Sequence, residues 1–117
     1  MKDVTSLTAT ELGAAFSERR CDPVEALEVF LSKIQDYDDK SVFISITEER
    51  ARQEAQDSAM RYKSGAPLSP LDGVPVAWKD LFDTVGASTT CGSQIFRDRK
   101  MPTADAAAVR NCSAAGM

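Results

Sequence analysis

The chain contains no histidine. That excludes Ser-His-Asp and Cys-His catalysis within it, and every His-ligated metal site. Cysteine is scarce. Cys21, Cys91 and Cys112 stand far apart, odd in number and without CxxC spacing, so neither a disulfide framework nor a zinc site is indicated. They read as reduced thiols packed as small apolar groups. An excess of positive charge is also missing. Lys and Arg number 14 against 18 Asp and Glu, a net charge of −4, with a pI near 4.8. This argues against a nucleic-acid or anionic-membrane surface. No apolar run approaches the ~18 residues a membrane helix needs, and residues 1–7 lack the apolar core of a secretory signal. A cytoplasmic location is expected. The six glycines are scattered, which excludes a P-loop and a GxGxxG fingerprint. No GxSxG elbow and no Ser-x-x-Lys pair occurs.

What is present is ordinary for a soluble globular protein: 43% hydrophobic and 27% charged residues in 117 positions, enough for one small domain. Four helices and two strands can be read. Thr8-Ala9-Thr10-Glu11 is a capping box that opens the first helix, with Leu7 and Leu12 placed as a hydrophobic staple. Arg19 and Arg20 close it, suited to the negative pole of its dipole. Asp22-Pro23-Val24-Glu25 opens the second helix, because Pro at the first helical position gives up no needed amide. Val24, Leu27, Phe30, Leu31 and Ile34 follow as its core stripe.

Residues 41–46 alternate Val42, Ile44 and Ile46 on one face, which predicts a strand. Thr47 is expected to cap a third helix, with Glu48 and Glu49 in its first turn. Ala51, Ala55, Ser58, Ala59 and Tyr62 form its small-residue face, and Gly65 its C′ position. The opposite face, Arg50, Arg52, Glu54, Asp57 and Arg61, reads as solvated surface. Residues 64–75 form a shaped loop with an Asp72-Gly73 turn. A second strand is expected over 74–78, restricted by Pro75 to an edge or to its first residues. Residues 84–93 read as loop. Thr103-Ala104-Asp105 is expected to start a last helix, with Gly116 as its C-cap.

Lys79 is the candidate for chemistry. An apolar segment, Val74-Pro75-Val76-Ala77-Trp78, delivers it to the start of a loop. Desolvation lowers a lysine pKa, and such a lysine can act as a general base near neutral pH. The plain alternative is a surface lysine at a strand end, paired with Asp80. Asp80 and Asp83 read as turn and cap residues rather than an acid–base pair. Ser88, Thr89, Thr90 and Ser93 bring hydroxyls near one another without a nucleophile motif.

Leu71-Asp72-Gly73-Val74-Pro75-Val76-Ala77-Trp78-Lys79-Asp80 resembles the first motif of the amidase signature family. The likeness extends to Leu7-Thr8-Ala9-Thr10-Glu11-Leu12, to the Asp22-Pro23-Val24-Glu25 helix start and to Phe43-Ile44 before Thr47-Glu48-Glu49-Arg50-Ala51. Thr89-Thr90-Cys91-Gly92-Ser93 and the segment from Asp105 to Gly116 also follow the family's order. The resemblance implies an α/β fold, a large mixed β-sheet flanked by helices. Residues 1–117 would be the N-terminal portion of that single domain, contributing helices and two or three strands.

It also implies that Lys79 matches the catalytic lysine of a Ser-cis-Ser-Lys triad that hydrolyses the C–N bond of a small-molecule amide without cofactor or metal. Both family serines lie in a Gly/Ser-rich segment beyond the lysine motif, and nothing of that composition occurs between Lys79 and Met117. The chain alone is therefore expected to be inactive, and marginally stable where apolar strand faces lack cover. Trp78 and Leu81-Phe82-Asp83 look more like free-standing amidases, which would act alone or as a homodimer. The other reading within the family is the glutaminase component of a tRNA-dependent amidotransferase, its A subunit, working with partner subunits. From another class, a non-enzymatic remnant or helical interaction domain fits the capped helices.

Overall fold

A computed structural model describes residues 3–117. Four helices carry the fold: α1 (Ala9–Ser17), α2 (Pro23–Asp36), α3 (Glu48–Lys63) and α4 (Ala107–Ala114). Single 3-10 turns lie at Val4–Ser6 and Gln94–Phe96.

The helix starts with strong local signals form as expected. The Thr8 hydroxyl accepts from the Glu11 amide, and the Glu11 carboxylate accepts from the Thr8 amide at 2.8 Å, the reciprocal capping box. Asp22 caps α2 through the Val24 amide at 2.8 Å, with Pro23 in the first turn. Two starts differ from the sequence expectation. Thr47 occupies the N-cap of α3 but its side chain makes no capping bond. α4 begins at Ala107 rather than near Thr103, with Ala106 at its N-cap and no side-chain capping bond, and the Asp105 carboxylate accepts instead from Arg50 and the Val85 amide.

The core joins the 3-10 turn, α1, α2 and the 71–74 turn. Val4, Leu12, Phe16, Ala26 and Val74 are buried together, and Leu7, Cys21, Phe30, Tyr62, Leu71 and Met117 pack on them. Phe16 and Tyr62 meet with ring centroids 6.1 Å apart. α1 lies hard against the loop after α3. A Cβ on Gly13 would stand 2.0 Å from the Pro70 carbonyl oxygen, so only glycine permits that approach.

Neither expected strand forms a ladder. Among the described residues the sole bridge is the isolated antiparallel pair Thr84–Ala87. A strand exists only with a partner, and no segment lies in register beside 41–46 or 74–78. The chain is a slab, 46 × 32 × 20 Å. Its radius of gyration is 14.9 Å, against the ~13 Å of a compact domain of this length. The excess reflects one open side, where Val42, Ile44, Ile46 and Val76 are 54%, 60%, 44% and 38% exposed.

Candidate active site

The open side is a cleft of about 630 Å³. The α2 stripe supplies Leu27, Phe30, Leu31 and Ile34, the segment after α2 supplies Val42 and Ile44, and the segment after the 71–74 turn runs along it as far as Lys79. The α2 stripe therefore serves two purposes. Leu27 is buried, whereas Leu31 and Ile34 are half-buried and face the cleft. Trp78 packs edge-on against Phe82, centroids 5.4 Å apart.

Lys79 lines this cleft at its edge. Its side chain is exposed, and it is not paired with Asp80, nor with any other residue described. The desolvation expected from the apolar run before it is thus not provided by residues 3–117. Its carbonyl closes a turn, accepting from the Leu81 and Phe82 amides at 2.7 and 3.1 Å.

Asp80 turns away from Lys79 and gathers the loop that follows. Its carboxylate accepts from the Thr90 hydroxyl, the Thr90 amide (2.9 Å) and the Gly92 amide (3.0 Å). Its carbonyl accepts from the Cys91 amide at 2.8 Å. The Thr90 hydroxyl, then the two amides, hold the Asp80 carboxyl below its ordinary range. Asp83 takes the Thr89 hydroxyl at 2.7 Å, and its carbonyl takes the Ala106 amide at 2.8 Å. Both carboxylates are turn-organising residues, as their spacing indicated. Cys91, expected to pack as a small apolar group, is instead exposed at the tip of this loop with φ +53°. Cys21 and Cys112 are half-buried.

The hydroxyls near Lys79 are committed to structure. Thr89 and Thr90 serve Asp83 and Asp80, and Ser88 donates to the Arg99 carbonyl at 3.3 Å. The Ser93 side chain accepts from the Ile95 amide at 3.3 Å. None is presented to the lysine as a nucleophile.

Two ion pairs missed in the sequence hold the frame around the cleft. The charged face of α3, expected to be solvated, is partly a set of clamps. Arg50 grips Asp105 with two bonds of 2.8 Å, and Asp105 also accepts from the Val85 amide at 2.8 Å. Arg61 grips Asp72 with two bonds of 2.7 Å, and the Leu68 amide adds a third at 2.8 Å. Asp72 is fully buried. Burial pushes its carboxyl up, but Arg61 and the Leu68 amide together bring it below its ordinary value. The signal available in the sequence was the place of Arg61 on the charged face of α3, which did not specify a partner.

Residues 25–117 match the family model described as Amidase. The chain belongs to the amidase family. The A subunit of a glutamyl-tRNA(Gln) amidotransferase from Salinispora tropica is 39% identical over 117 residues, 99% of this chain and 24% of its own. The mitochondrial counterpart from Ixodes scapularis is 41% identical over 91 residues, 78% of this chain and 18% of its own. The chain thus spans about a fifth to a quarter of the length of these curated relatives. A solved chain, described as part of an unexpected vestigial protein complex revealing the evolutionary origins of an s-triazine catabolic enzyme, superposes with a TM-score of 0.86 at 35% identity. The match covers 94% of this chain and 24% of the other. The amidase fold, of class α/β, is the one to which this helical portion corresponds. No helix of the described residues is long and apolar enough to cross a membrane.

Proposed function

We propose that residues 1–117 are the N-terminal portion of an amidase domain and supply its general base, Lys79, for hydrolysis of a carboxamide C–N bond. The observation that carries this reading is the placement of Lys79: a cation without a partner among the described residues, on a hydrogen-bonded turn, at the edge of an apolar cleft. Covering the cleft would remove water from the ammonium and favour the neutral amine that a base requires. In the complete domain, by family resemblance, the lysine draws a proton through a bridging serine from a second serine. That serine attacks the amide carbonyl, the amine leaves with the proton the lysine took up, and water then cleaves the acyl-enzyme to the acid and the free serine. The hydroxyls of Ser88, Thr89, Thr90 and Ser93 are bonded to other groups, so none of these four is read as that nucleophile.

A second reading within the family rests on the relatives' names. They favour the glutaminase component of a tRNA-dependent amidotransferase, whose amide would be that of glutamine and whose partners would be the other subunits of that enzyme. It stands against the free-standing amidase suggested by Trp78 and Leu81-Phe82-Asp83. Co-purification with such subunits, or its absence, separates the two.

The test has two arms. The 117-residue chain alone is expected to release no ammonia from glutamine or simple primary amides, and Lys79-dependent release from it would contradict the proposal. Joined to the remainder of a relative, the chain is expected to hydrolyse an amide, and Lys79→Ala to lower that rate by about 10²–10⁴-fold. Turnover unaffected by Lys79→Ala would sink the assignment of the base.

A further inference from the structure

Lys79 and Asp80 are adjacent in sequence and opposite in charge, yet they do not pair. The Asp80 carboxylate is occupied by the loop that follows. One oxygen accepts from the Thr90 amide at 2.9 Å, the other from the Thr90 hydroxyl and from the Gly92 amide at 3.0 Å. The Cys91 amide, between them, donates to the Asp80 carbonyl. Three successive amides thus turn to one residue, with φ +53° at Cys91 and +67° at Gly92. Successive N–H groups so arranged form a concave anion site, and its anion here is a side chain of the same chain. The other charged groups around the cleft are also engaged. Glu54 pairs with Arg50 at 2.9 Å, Arg50 holds Asp105, and Asp83 takes the Thr89 hydroxyl. Asp80 is therefore the carboxylate whose release would give Lys79 a counter-ion. Such a pair favours the ammonium over the amine.

We infer that Thr90 is a positioning residue for the base: by holding the Asp80 carboxylate on the 90–92 loop, it denies Lys79 a counter-ion and leaves the amine free to take up a proton. This rests on reading Lys79 as the general base. Thr90 acts through Asp80, with no bond of its own to Lys79. Its amide and its hydroxyl take one carboxylate oxygen each, so it fixes the direction of the group as well as engaging its charge. Valine at this position keeps the branched shape and loses the hydroxyl, whereas serine keeps the hydroxyl.

The test reads the amine directly. Acetic anhydride acylates an amine and not an ammonium, so the acetylation rate of Lys79 in the 117-residue chain at neutral pH is measured by mass spectrometry. It is divided by the rates at the exposed Lys63 and Lys100. Thr90→Val is expected to slow Lys79 by about two- to fivefold, the range of an exposed ion pair, and about 1 M salt to abolish the slowing. Thr90→Ser is expected to leave the rate unchanged, and Asp80→Asn added to Thr90→Val to restore it. Asp80→Asn alone is expected to change it by less than about twofold, because the carboxylate is already engaged. An unchanged rate in Thr90→Val that keeps its helical circular dichroism overturns the inference, and so does slowing that survives Asp80→Asn. If Thr90→Val loses that signal, Asp80→Asn alone decides: a larger acceleration means that the carboxylate already sits at the ammonium, and overturns the inference. In residues 1–117 joined to the remainder of the Salinispora tropica relative, the acid limb of kcat/KM for amide hydrolysis should move to higher pH in Thr90→Val and return in the double variant. A limb that stays in place overturns the role of Thr90 in serving the base. The expected acetylation pattern together with hydrolysis that ignores Lys79→Ala leaves the held counter-ion standing and refutes only the functional reading.

Discussion

Two corners of the chain lie within eight residues of each other in sequence and behave oppositely. Around Asp72 the polypeptide closes on itself. Arg61, the Leu68 amide and the Tyr62 hydroxyl all reach this one residue, and the Gly73 amide donates to the Gly116 carbonyl at 2.8 Å. Around Lys79 it stays open, with a bare ammonium and unpaired backbone before it. The difference shows which parts of the fold are self-sufficient. A buried charge must find its partners within the chain, because an uncompensated one costs several kcal/mol. An extended segment at a surface can wait for a partner, because water serves its backbone meanwhile.

The contrast is broken most severely at its closed end. Asp72→Ala leaves Arg61 half-buried without its anion and the Leu68 amide without an acceptor. We expect a loss of about 3 kcal/mol, toward the low end for a broken buried pair since the Arg61 side chain is 26% exposed. In urea titration followed by far-UV circular dichroism, a chain of this size is expected to lose most of its cooperative transition. Gly116→Ala should come next. The residue has φ +88°, and a Cβ there would stand 2.5 Å from the Asp72 Cγ. A loss of about 2 kcal/mol is expected from strain and displacement combined, read as a lower urea midpoint.

Asp105→Asn tests the clamp on the other side of the cleft. It removes the anion facing Arg50, whose side chain is 24% exposed, and should cost about 1 kcal/mol. The open end is expected to respond least. Ile44→Ser should change the urea midpoint of the isolated chain by less than about 0.5 kcal/mol equivalent, because a side chain 60% exposed contributes little packing. A large loss there would mean that the open side is covered after all.

Acid sharpens the same distinction. Asp72, Asp80 and Asp105 each have their carboxyl held below the ordinary value of 3.8. Arg50, then the Val85 amide against the opposing effect of burial, is responsible at Asp105. A carboxyl depressed in the folded state stabilises it fully above the unfolded pKa, and that contribution is lost as pH falls through the folded value. Stability should therefore be flat from about pH 6 to about 5 and fall below about pH 4. Asp72→Asn should remove part of that slope, measured as the urea midpoint against pH.

The parts of this architecture legible in the sequence were those decided within one helical turn. The Thr8–Glu11 box and the Asp22-Pro23 start need only residues three apart, and both formed. Gly65 stands at C′, after the Ser64 C-cap of α3, with φ +73°, as its position indicated. The clamps were not legible, because Arg61 and Asp72 are 11 positions apart and Arg50 and Asp105 are 55 apart. A charged helix face looks the same whether it meets water or a distant carboxylate. The strands expected from the alternation of 41–46 and the apolar run of 74–78 form no ladder among the described residues, because neither pattern supplies a neighbour. Lys79 was legible as a candidate from its apolar lead-in, and the alternative of a surface lysine matches its exposed side chain, though not the pairing with Asp80.

Amide hydrogen exchange on the isolated chain at neutral pH tests the central contrast most directly. Leu68, Asp72, Gly73 and Val74, whose amides are all bonded within the closed corner, are expected to exchange only with global unfolding. Ile44, Ser45, Ile46, Val76, Ala77 and Trp78 are expected to exchange at nearly unstructured rates in the same sample. Equal protection of the two sets in a monomer would contradict it.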